Sequence, residues 1–357
     1  MTRRKIRVLV VDDSSFMRKI LSDLLSADPG IVVAGTARDG DDALGKIEKL
    51  SPDVVTLDIE MPRKDGLATL EEIMRRFPLP VIMVSSLTSE GAQTTLRALS
   101  AGAVDFVAKP SGYISLDLDA LGRELREKVT GASMARVFRR EKEETPSGAP
   151  RSPLPSTLPP LAAKRPGRPE IVAMAASTGG PRALQSILSE LPGSFPLPIV
   201  IVQHMPADFT LSFARRLDSL SPLDVEEGKE GMELRPGLAV VAPGGYHMVV
   251  QRKGPSLFVC SLSDAPPVLS VKPSANVLFQ SVAEGTDGRA VGVILTGMGR
   301  DGAEGAAAMR ARGSHIIAES QETCIVYGMP KAAVELGGVD ELLPLDSIAE
   351  AVVRSVR

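Results

Sequence analysis

At 357 residues the chain exceeds what one ordinary hydrophobic core holds, so its length favours two domains. Hydrophobic residues make up 43% and charged residues 24%, the balance of a soluble globular protein and not of a disordered one. A formal net charge of -3 gives no general basic field toward nucleic acid or acidic lipid. The two cysteines, Cys260 and Cys324, are far apart and lack CxxC spacing, which excludes a disulfide framework or a thiolate metal site built from them alone. The basic start Met1–Lys5 runs into an apolar stretch, Ile6–Val11, too short for a secretory signal. No apolar run nears the roughly 20 residues that span a bilayer. The expectation is a reduced, cytoplasmic protein without membrane insertion.

From Ile6 to about Val129, β-branched-rich runs of strand length alternate with segments of helical spacing. The strand-like runs are Ile6–Val11, Ile31–Thr36, Val54–Leu57, Val81–Ser85 and Val104–Val107. The spacing of Phe16, Ile20, Leu21, Leu24 and Leu25 predicts a helix between the first two. Five strands alternating with helices imply a parallel sheet covered on both faces, with its chemistry at the carboxyl ends of the strands. After Arg140 the character changes. Glu141–Pro169 carries eight prolines and few large apolar residues, so it reads as a semi-rigid, partly extended tether. A second α/β pattern follows. Ile171–Ala175, Pro198–Val202, Ala290–Leu295 and His315–Ala318 read as buried strands. Ala183–Leu191, Phe209–Leu220, Ala275–Glu284, Gly302–Arg312 and Lys331–Leu336 read as helices. Between Leu223 and Ser263 the Gly- and Pro-punctuated β-rich runs suggest inserted hairpins.

In the first half, Asp12 and Asp13 follow the first strand and Asp58 ends the third. If those strands are neighbours, the three carboxylates converge on one pocket. Like charges so close need a compensating cation, and hard oxygen ligands with open positions suit Mg²⁺. Ser85 ends the fourth strand with a hydroxyl and Lys109 follows the fifth with a positive charge. Carboxylate, metal, hydroxyl and ammonium together suit phosphoryl transfer onto Asp58. Each alone has a plainer reading, since an Asp at a strand end is commonly a helix cap. The set Val10-Val11-Asp12-Asp13-Ser14, Leu57-Asp58-Ile59-Glu60-Met61-Pro62, Asp65-Gly66, Val84-Ser85-Ser86 and Ala108-Lys109-Pro110 resembles the receiver domains of two-component response regulators over residues 5–129. The resemblance implies a flavodoxin-like receiver with Asp58 as phosphoacceptor and Asp12, Asp13 and Asp58 holding Mg²⁺. Ser85 and Lys109 would sense the phosphate, Phe106 would be the aromatic switch, and a histidine kinase would donate the phosphoryl group.

In the second half, Met174-Ala175-Ala176-Ser177-Thr178-Gly179-Gly180-Pro181 follows a strand and opens a helix, a turn that exposes a side chain at the sheet's edge. Ser177 or Thr178 fits a plain N-cap as well as a nucleophile. Dinucleotide binding is disfavoured, because neither GxGxxG spacing nor a Walker lysine is present. A nucleophile needs a base, and the chain has three histidines. His204 ends the next strand on the same edge as Ser177, His315 begins a strand at the opposite edge, and His247 falls in the hairpin region, so position favours His204. Val293–Gly302 repeats the pattern of strand, glycine-rich loop and helix start. It puts Asp301 at that edge, either as a carboxylate orienting the base or as a helix cap, and its glycines let amides such as that of Met298 reach an oxyanion.

These stretches, with Gln203-His204-Met205-Pro206, Phe209-Thr210, Ser212-Phe213-Ala214, Ala242-Pro243-Gly244, Leu295–Gly302 and Tyr327-Gly328-Met329-Pro330, resemble the catalytic domain of the chemotaxis protein-glutamate methylesterases across residues 170–355. The resemblance implies Ser177 as nucleophile, His204 as base, Asp301 as its orienter, the Met298 amide as oxyanion donor, and a hydrogen bond from Thr178 to His204. The sequence departs from the family's usual residues at Ala175, Asp208, Lys272 and Asn276, which bears on substrate contacts and leaves the three catalytic positions intact.

The expected whole is thus α/β, with two doubly wound parallel-sheet domains: a receiver over residues 1–130 and a Rossmann-like esterase domain with a β-hairpin insertion over 170–357, joined by a Pro-rich linker over 131–169. The expected activity is phosphorylation-activated hydrolysis of glutamate γ-methyl esters on the cytoplasmic helices of methylated chemoreceptors, with deamidation of receptor glutamines as a related second activity. No cofactor is expected in the esterase site and no nucleic acid as partner. In the unphosphorylated state the receiver is expected to hinder access to Ser177. The rival readings are a non-catalytic signalling module and, less favoured, a DNA-binding response regulator.

Overall fold

A computed structural model of the chain describes residues 4–86, 88–109, 115–135 and 167–356. Most of the expected Pro-rich linker (136–166) and Pro110 lie outside the described residues. The described chain forms two compact units, each with its own parallel sheet.

In chain order, the strands of the first sheet and the helices between and after them are β1 (Ile6–Val11), α1 (Ser15–Ser26), β2 (Ile31–Ala37), α2 (Gly40–Leu50), β3 (Val54–Asp58), α3 (Gly66–Arg76), β4 (Val81–Ser85), α4 (Ser89–Ala101), β5 (Asp105–Ala108) and α5 (Ser115–Ala132). All five strands are parallel in the order β2-β1-β3-β4-β5. Every residue of β3 and β4 is buried, as expected for strands covered on both faces. Local chemistry starts the helices. The side chains of Ser14, Asp39 and Asp65 accept the N–H groups of Met17, Asp42 and Ala68 and so cap α1, α2 and α3. The chain leaves β1 toward β2 on one side and β3 on the other. The carboxyl ends of β1 and β3 therefore flank the point where the winding reverses.

The second unit runs β6 (Ile171–Ala176), α6 (Gly180–Glu190), β7 (Ile199–Gln203), α7 (Ala207–Leu220), β8 (Asp224–Glu227), β9 (Glu233–Leu234), β10 (Leu238–Val241), β11 (His247–Arg252) and β12 (Phe258–Ser263). It continues with α8 (Ala275–Gly285), β13 (Ala290–Ile294), α9 (Ala303–Ala311), β14 (His315–Glu319), α10 (Met329–Glu335), β15 (Glu341–Leu343) and α11 (Leu345–Ser355). Its main sheet is parallel with order β15-β14-β13-β6-β7-β10-β8.

One expectation needs correction here. The stretch from Leu223 to Ser263 is only partly a hairpin insertion, because β8 and β10 extend the main sheet in parallel. The reason is burial: all four residues of β10 are covered, which suits an inner parallel strand and not an exposed hairpin arm. Only β11 and β12 form an antiparallel hairpin, with the two-residue β9 on its edge. The terminal β15 and α11 were not anticipated; β15 is a three-residue edge strand, too short to announce itself by alternation. Among the described residues no helix is long and apolar enough to cross a membrane.

Candidate active site

At the carboxyl edge of the first sheet, the side chains of Asp12 and Asp58 are buried, 0% and 1% exposed, while Asp13 is exposed. One oxygen from each of the three lies within 4.8 Å of the others. Lys109 Nζ sits 2.8 Å from Asp58 Oδ1 and 3.4 Å from Asp12 Oδ2. Ser85 is fully buried at the end of β4, and its carbonyl accepts the Lys109 N–H at 2.7 Å. Gly66 lets α3 start against β3, since a Cβ there would stand 2.1 Å from the Asp58 carbonyl oxygen. Phe106 is buried on β5 with Lys128 Nζ 5.0 Å from its ring centre.

Asp58 Oδ2 is buried and makes no hydrogen bond among the described residues, and Asp12 Oδ2, equally buried, has only Lys109 Nζ at 3.4 Å. Burying such oxygens without a donor is costly. Burial accordingly pushes the Asp58 carboxyl up to about 6 and raises that of Asp12, in both cases against the pull of Lys109. Buried hard-oxygen donors left under-satisfied at this spacing fit a divalent cation. The sign of the pH effect follows. Between pH 3.8 and about 6 the folded chain keeps a proton on Asp58 that the unfolded chain has lost. This contribution to stability is complete below pH 3.8 and is lost as pH rises through about 6. In cation-free buffer, Asp58→Asn is therefore expected to gain stability relative to wild type as pH rises from about 4 to 7, by up to about 3 kcal/mol. Excess divalent cation should narrow that difference at neutral pH. Denaturant melts of both proteins across this range check it; a difference independent of pH contradicts the assignment of strain to Asp58.

In the second unit, Ser177 follows β6, His204 follows β7 and Asp301 follows β13, and these three strands are adjacent. Ala176 pairs with Gln203, so Ser177 and His204 leave their strands at the same level. The Ser177 turn is then sewn to both neighbours. Its N–H donates to the Thr296 carbonyl at 3.1 Å, and its carbonyl accepts the Gln203 side chain at 3.0 Å, whose amide also reaches the His204 carbonyl at 3.1 Å. Two glycines are sterically required. A Cβ on Gly180 would stand 2.1 Å from Gln203 Oε1, and one on Gly297 would stand 2.8 Å from Ser177 Cβ.

His204 Nε2 meets Asp301 Oδ2 at 2.9 Å. In the neutral ring that nitrogen carries the proton, which leaves Nδ1 as the basic lone pair. Asp301 is 3% exposed and lies at the N-terminus of α8. Its Oδ1 accepts the Ser274 hydroxyl at 2.7 Å and the Asn276 N–H at 3.1 Å; its Oδ2 also accepts the Ala275 N–H at 2.6 Å. Burial alone would raise its pKa, but the bond to and charge of His204, with Ser274 and Ala275, outweigh it and hold the carboxyl below the ordinary range. No described residue bonds to Ser177 Oγ, so the serine hydroxyl is not hydrogen-bonded to His204 in this unliganded geometry. Among the described residues none accepts the Met298 N–H either. Thr178 is buried beside Ser177, its carbonyl accepting the Thr296 hydroxyl at 2.9 Å.

The other two histidines are elsewhere: His315 begins β14 at the opposite edge and meets Glu341 at 2.8 Å, and His247 begins β11. Of the unusual positions, Asn276 is buried and accepts the Gly305 N–H at 2.8 Å, while Lys272 pairs with Asp264 at 2.6 Å. Sequence reasoning did not single out Ser274, the Gln203 amide or Glu319. Glu319 is fully buried at the end of β14 and accepts the Thr296 N–H at 2.8 Å. Burial raises its carboxyl. A signal existed for Glu319 and Gln203, each a polar residue closing an apolar strand run; none existed for Ser274, whose partners are 27 residues away on either side.

The fold and these geometries define a class: a two-unit α/β protein with an acidic, cation-type pocket on one sheet and a Ser–His–Asp arrangement at the edge of the other. Residues 8–117 match the family model of the response regulator receiver domain, and residues 172–352 match that of the CheB methylesterase. A protein-glutamate methylesterase/protein-glutamine glutaminase of Symbiobacterium thermophilum is 50% identical over 371 residues, covering 99% of this chain and 98% of that one. A protein of the same name from Pyrococcus abyssi is 47% identical, covering 100% of this chain and 95% of that one. Among solved structures, the Thermotoga maritima CheB methylesterase catalytic domain is 41% identical with a TM-score of 0.51, covering 52% of this chain and 98% of that one. The chain belongs to the CheB methylesterase family, with a receiver domain in front.

Proposed function

We propose that this chain is a phosphorylation-activated protein-glutamate methylesterase that works in the cytoplasm on the methylated helices of chemoreceptors. Its receiver would span residues 1–130, its tether 131–169 and its catalytic domain 170–357. The observation that carries the reading is the pairing of His204 with the buried Asp301 at the edge where β6 delivers Ser177, on a chain of this family. Ser177 Oγ attacks the γ-ester carbonyl carbon while His204 Nδ1 takes its proton. Asp301 holds the ring in the productive tautomer and balances the imidazolium. Backbone N–H groups, that of Met298 among them, hold the oxyanion. Collapse breaks the ester C–O bond, and methanol leaves with the proton from His204. Water then attacks the acyl-enzyme, His204 takes its proton and returns one to Ser177, and glutamate is released. The same acyl-enzyme forms from a glutamine side chain with ammonia as leaving group, which suits the second activity in the relatives' name.

In the receiver, Asp58 would accept the phosphoryl group from a histidine kinase. Asp12, Asp13 and Asp58 would hold Mg²⁺, which supplies charge neutralisation for the incoming phosphoryl oxygens. Ser85 and Lys109 would bond the phosphorylated carboxylate and Phe106 would report it. Incubation with receptor membranes carrying labelled methyl esters tests the chemistry: labelled methanol is expected. Its absence with folded protein and several receptors would turn attention to a non-catalytic output.

A further inference from the structure

The third histidine, His247, has no part in the chemistry just described, yet it is 1% exposed and both its ring nitrogens are engaged. Nε2 meets the Pro266 carbonyl at 3.1 Å, and Nδ1 accepts the Ser274 N–H at 3.1 Å. The carbonyl requires a proton on Nε2, and the Ser274 N–H requires a lone pair on Nδ1, so these two bonds select one neutral tautomer. His247 also pairs in register with Ser263, the last residue of β12. The imidazole thus bonds to both sides of the 264–273 excursion, which leaves the hairpin after Ser263 and reaches the N-cap of α8 at Ser274. The excursion is also tied by the Lys272–Asp264 ion pair at 2.6 Å and by the Gly245 N–H donating to the Lys272 carbonyl at 3.4 Å. It turns back on itself through a single Val268–Val271 bridge, with Leu269 and Ser270 both in the left-handed region, at φ 49° and 66°. Two consecutive non-glycine residues there cost energy, and the surroundings must hold them.

Ser274 occupies the N-cap position of α8 without a side-chain capping bond, and its hydroxyl and the next two backbone N–H groups are the donors that grip Asp301. We infer that His247 is a positioning residue for the esterase: its Nδ1 fixes Ser274, Ser274 and the first turn of α8 fix Asp301, and Asp301 fixes His204. This rests on the reading of Ser177, His204 and Asp301 as a catalytic triad. A displaced α8 N-terminus would leave substrate binding in place and misalign the base, and an ångström of misplacement can cost about a hundredfold.

The test uses the full chain, with methyl-ester hydrolysis and labelling of Ser177 by a fluorophosphonate as readouts. Phe at 247 fills the space and makes neither bond; Asn puts its Oδ1 near the position of Nδ1 and restores the acceptor for Ser274. His247→Phe is expected to lose about 10- to 100-fold in kcat and in labelling rate, with KM within about twofold, while His247→Asn recovers most of both. A folded Phe variant with wild-type kcat, a loss confined to KM, or an Asn variant as impaired as Phe would each overturn the inference. Should the Phe variant fail to fold, His247→Gln, whose longer amide reaches toward Pro266 and offers Ser274 no acceptor, replaces it in the same contrast. Equal activity of folded Asn and Gln variants then overturns it. Wild-type protein without Ser177-dependent turnover or labelling would instead remove the triad reading itself.

Discussion

Ser177→Ala is expected to lower methyl-ester hydrolysis by at least about 10⁴-fold, because without the hydroxyl no acyl-enzyme forms and only binding and the oxyanion donors remain. The fold should not register the change. Ser177 is half-buried and its hydroxyl bonds to no described residue, so truncation strands no donor or acceptor. Its backbone bonds to Thr296 and Gly180, which hold the turn, are untouched. Thermal stability is expected within about 0.5 kcal/mol of wild type, read by circular dichroism beside the methanol assay. A folded Ser177→Ala protein that still turns over at a tenth of the wild-type rate would move the nucleophile elsewhere.

Asp301→Asn is the second large effect, and it strikes both activity and stability. Each oxygen of Asp301 faces two donors: Ser274 and Asn276 on Oδ1, His204 and Ala275 on Oδ2. An amide must turn its NH₂ toward one of these pairs. If it faces His204, the ring must present a lone pair there, and the proton moves to Nδ1, where it blocks the base. If it faces Ser274 and Asn276, the start of α8 loses its acceptor. The first arrangement costs about 10⁴ in kcat by the wrong-tautomer argument; both leave a buried N–H without an acceptor, at about 1–3 kcal/mol. Since Asp301 is held below the ordinary carboxylate range, no loss of activity above pH 5 should trace to its protonation. Kinetics and denaturant melts of the same preparation check both halves. An Asn variant that is fully stable and only a fewfold slower would mean that Asp301 is no more than a helix-capping acceptor.

Much of this was legible from local pattern. Apolar runs ending next to Asp12, Asp58, Ser177 and His204, and the glycine-rich loop from β13 to Asp301, disclosed the strands and the sheet edge to which these side chains belong, since parallel strands expose only their carboxyl ends to a ligand. His315 was separable from His204 on the same ground, by preceding its strand instead of following it. What stayed hidden depends on contacts between residues distant in sequence. Ser274 and His247 are 27 residues apart, as are Ser274 and Asp301, and no spacing rule links them. The role of β10 was hidden too: Leu238–Val241 could form a hairpin arm or an inner parallel strand, and only its pairing to Ile199–Ile201 of β7 decides. The three carboxylates do cluster as the sequence suggested, but the under-satisfied oxygens of Asp12 and Asp58 emerge only from burial.

The central claim is that phosphoryl chemistry at Asp58 controls ester hydrolysis at Ser177. The most direct measurement is methanol release from methylated receptor membranes by the full chain, with and without a small-molecule phosphodonor and Mg²⁺, beside Asp58→Asn. Release is expected to rise about 5- to 150-fold with phosphodonor, the range of ordinary allosteric coupling, and to stay at the basal rate in Asp58→Asn. Equal release by wild type with and without phosphodonor, while Asp58 is demonstrably phosphorylated, would contradict it.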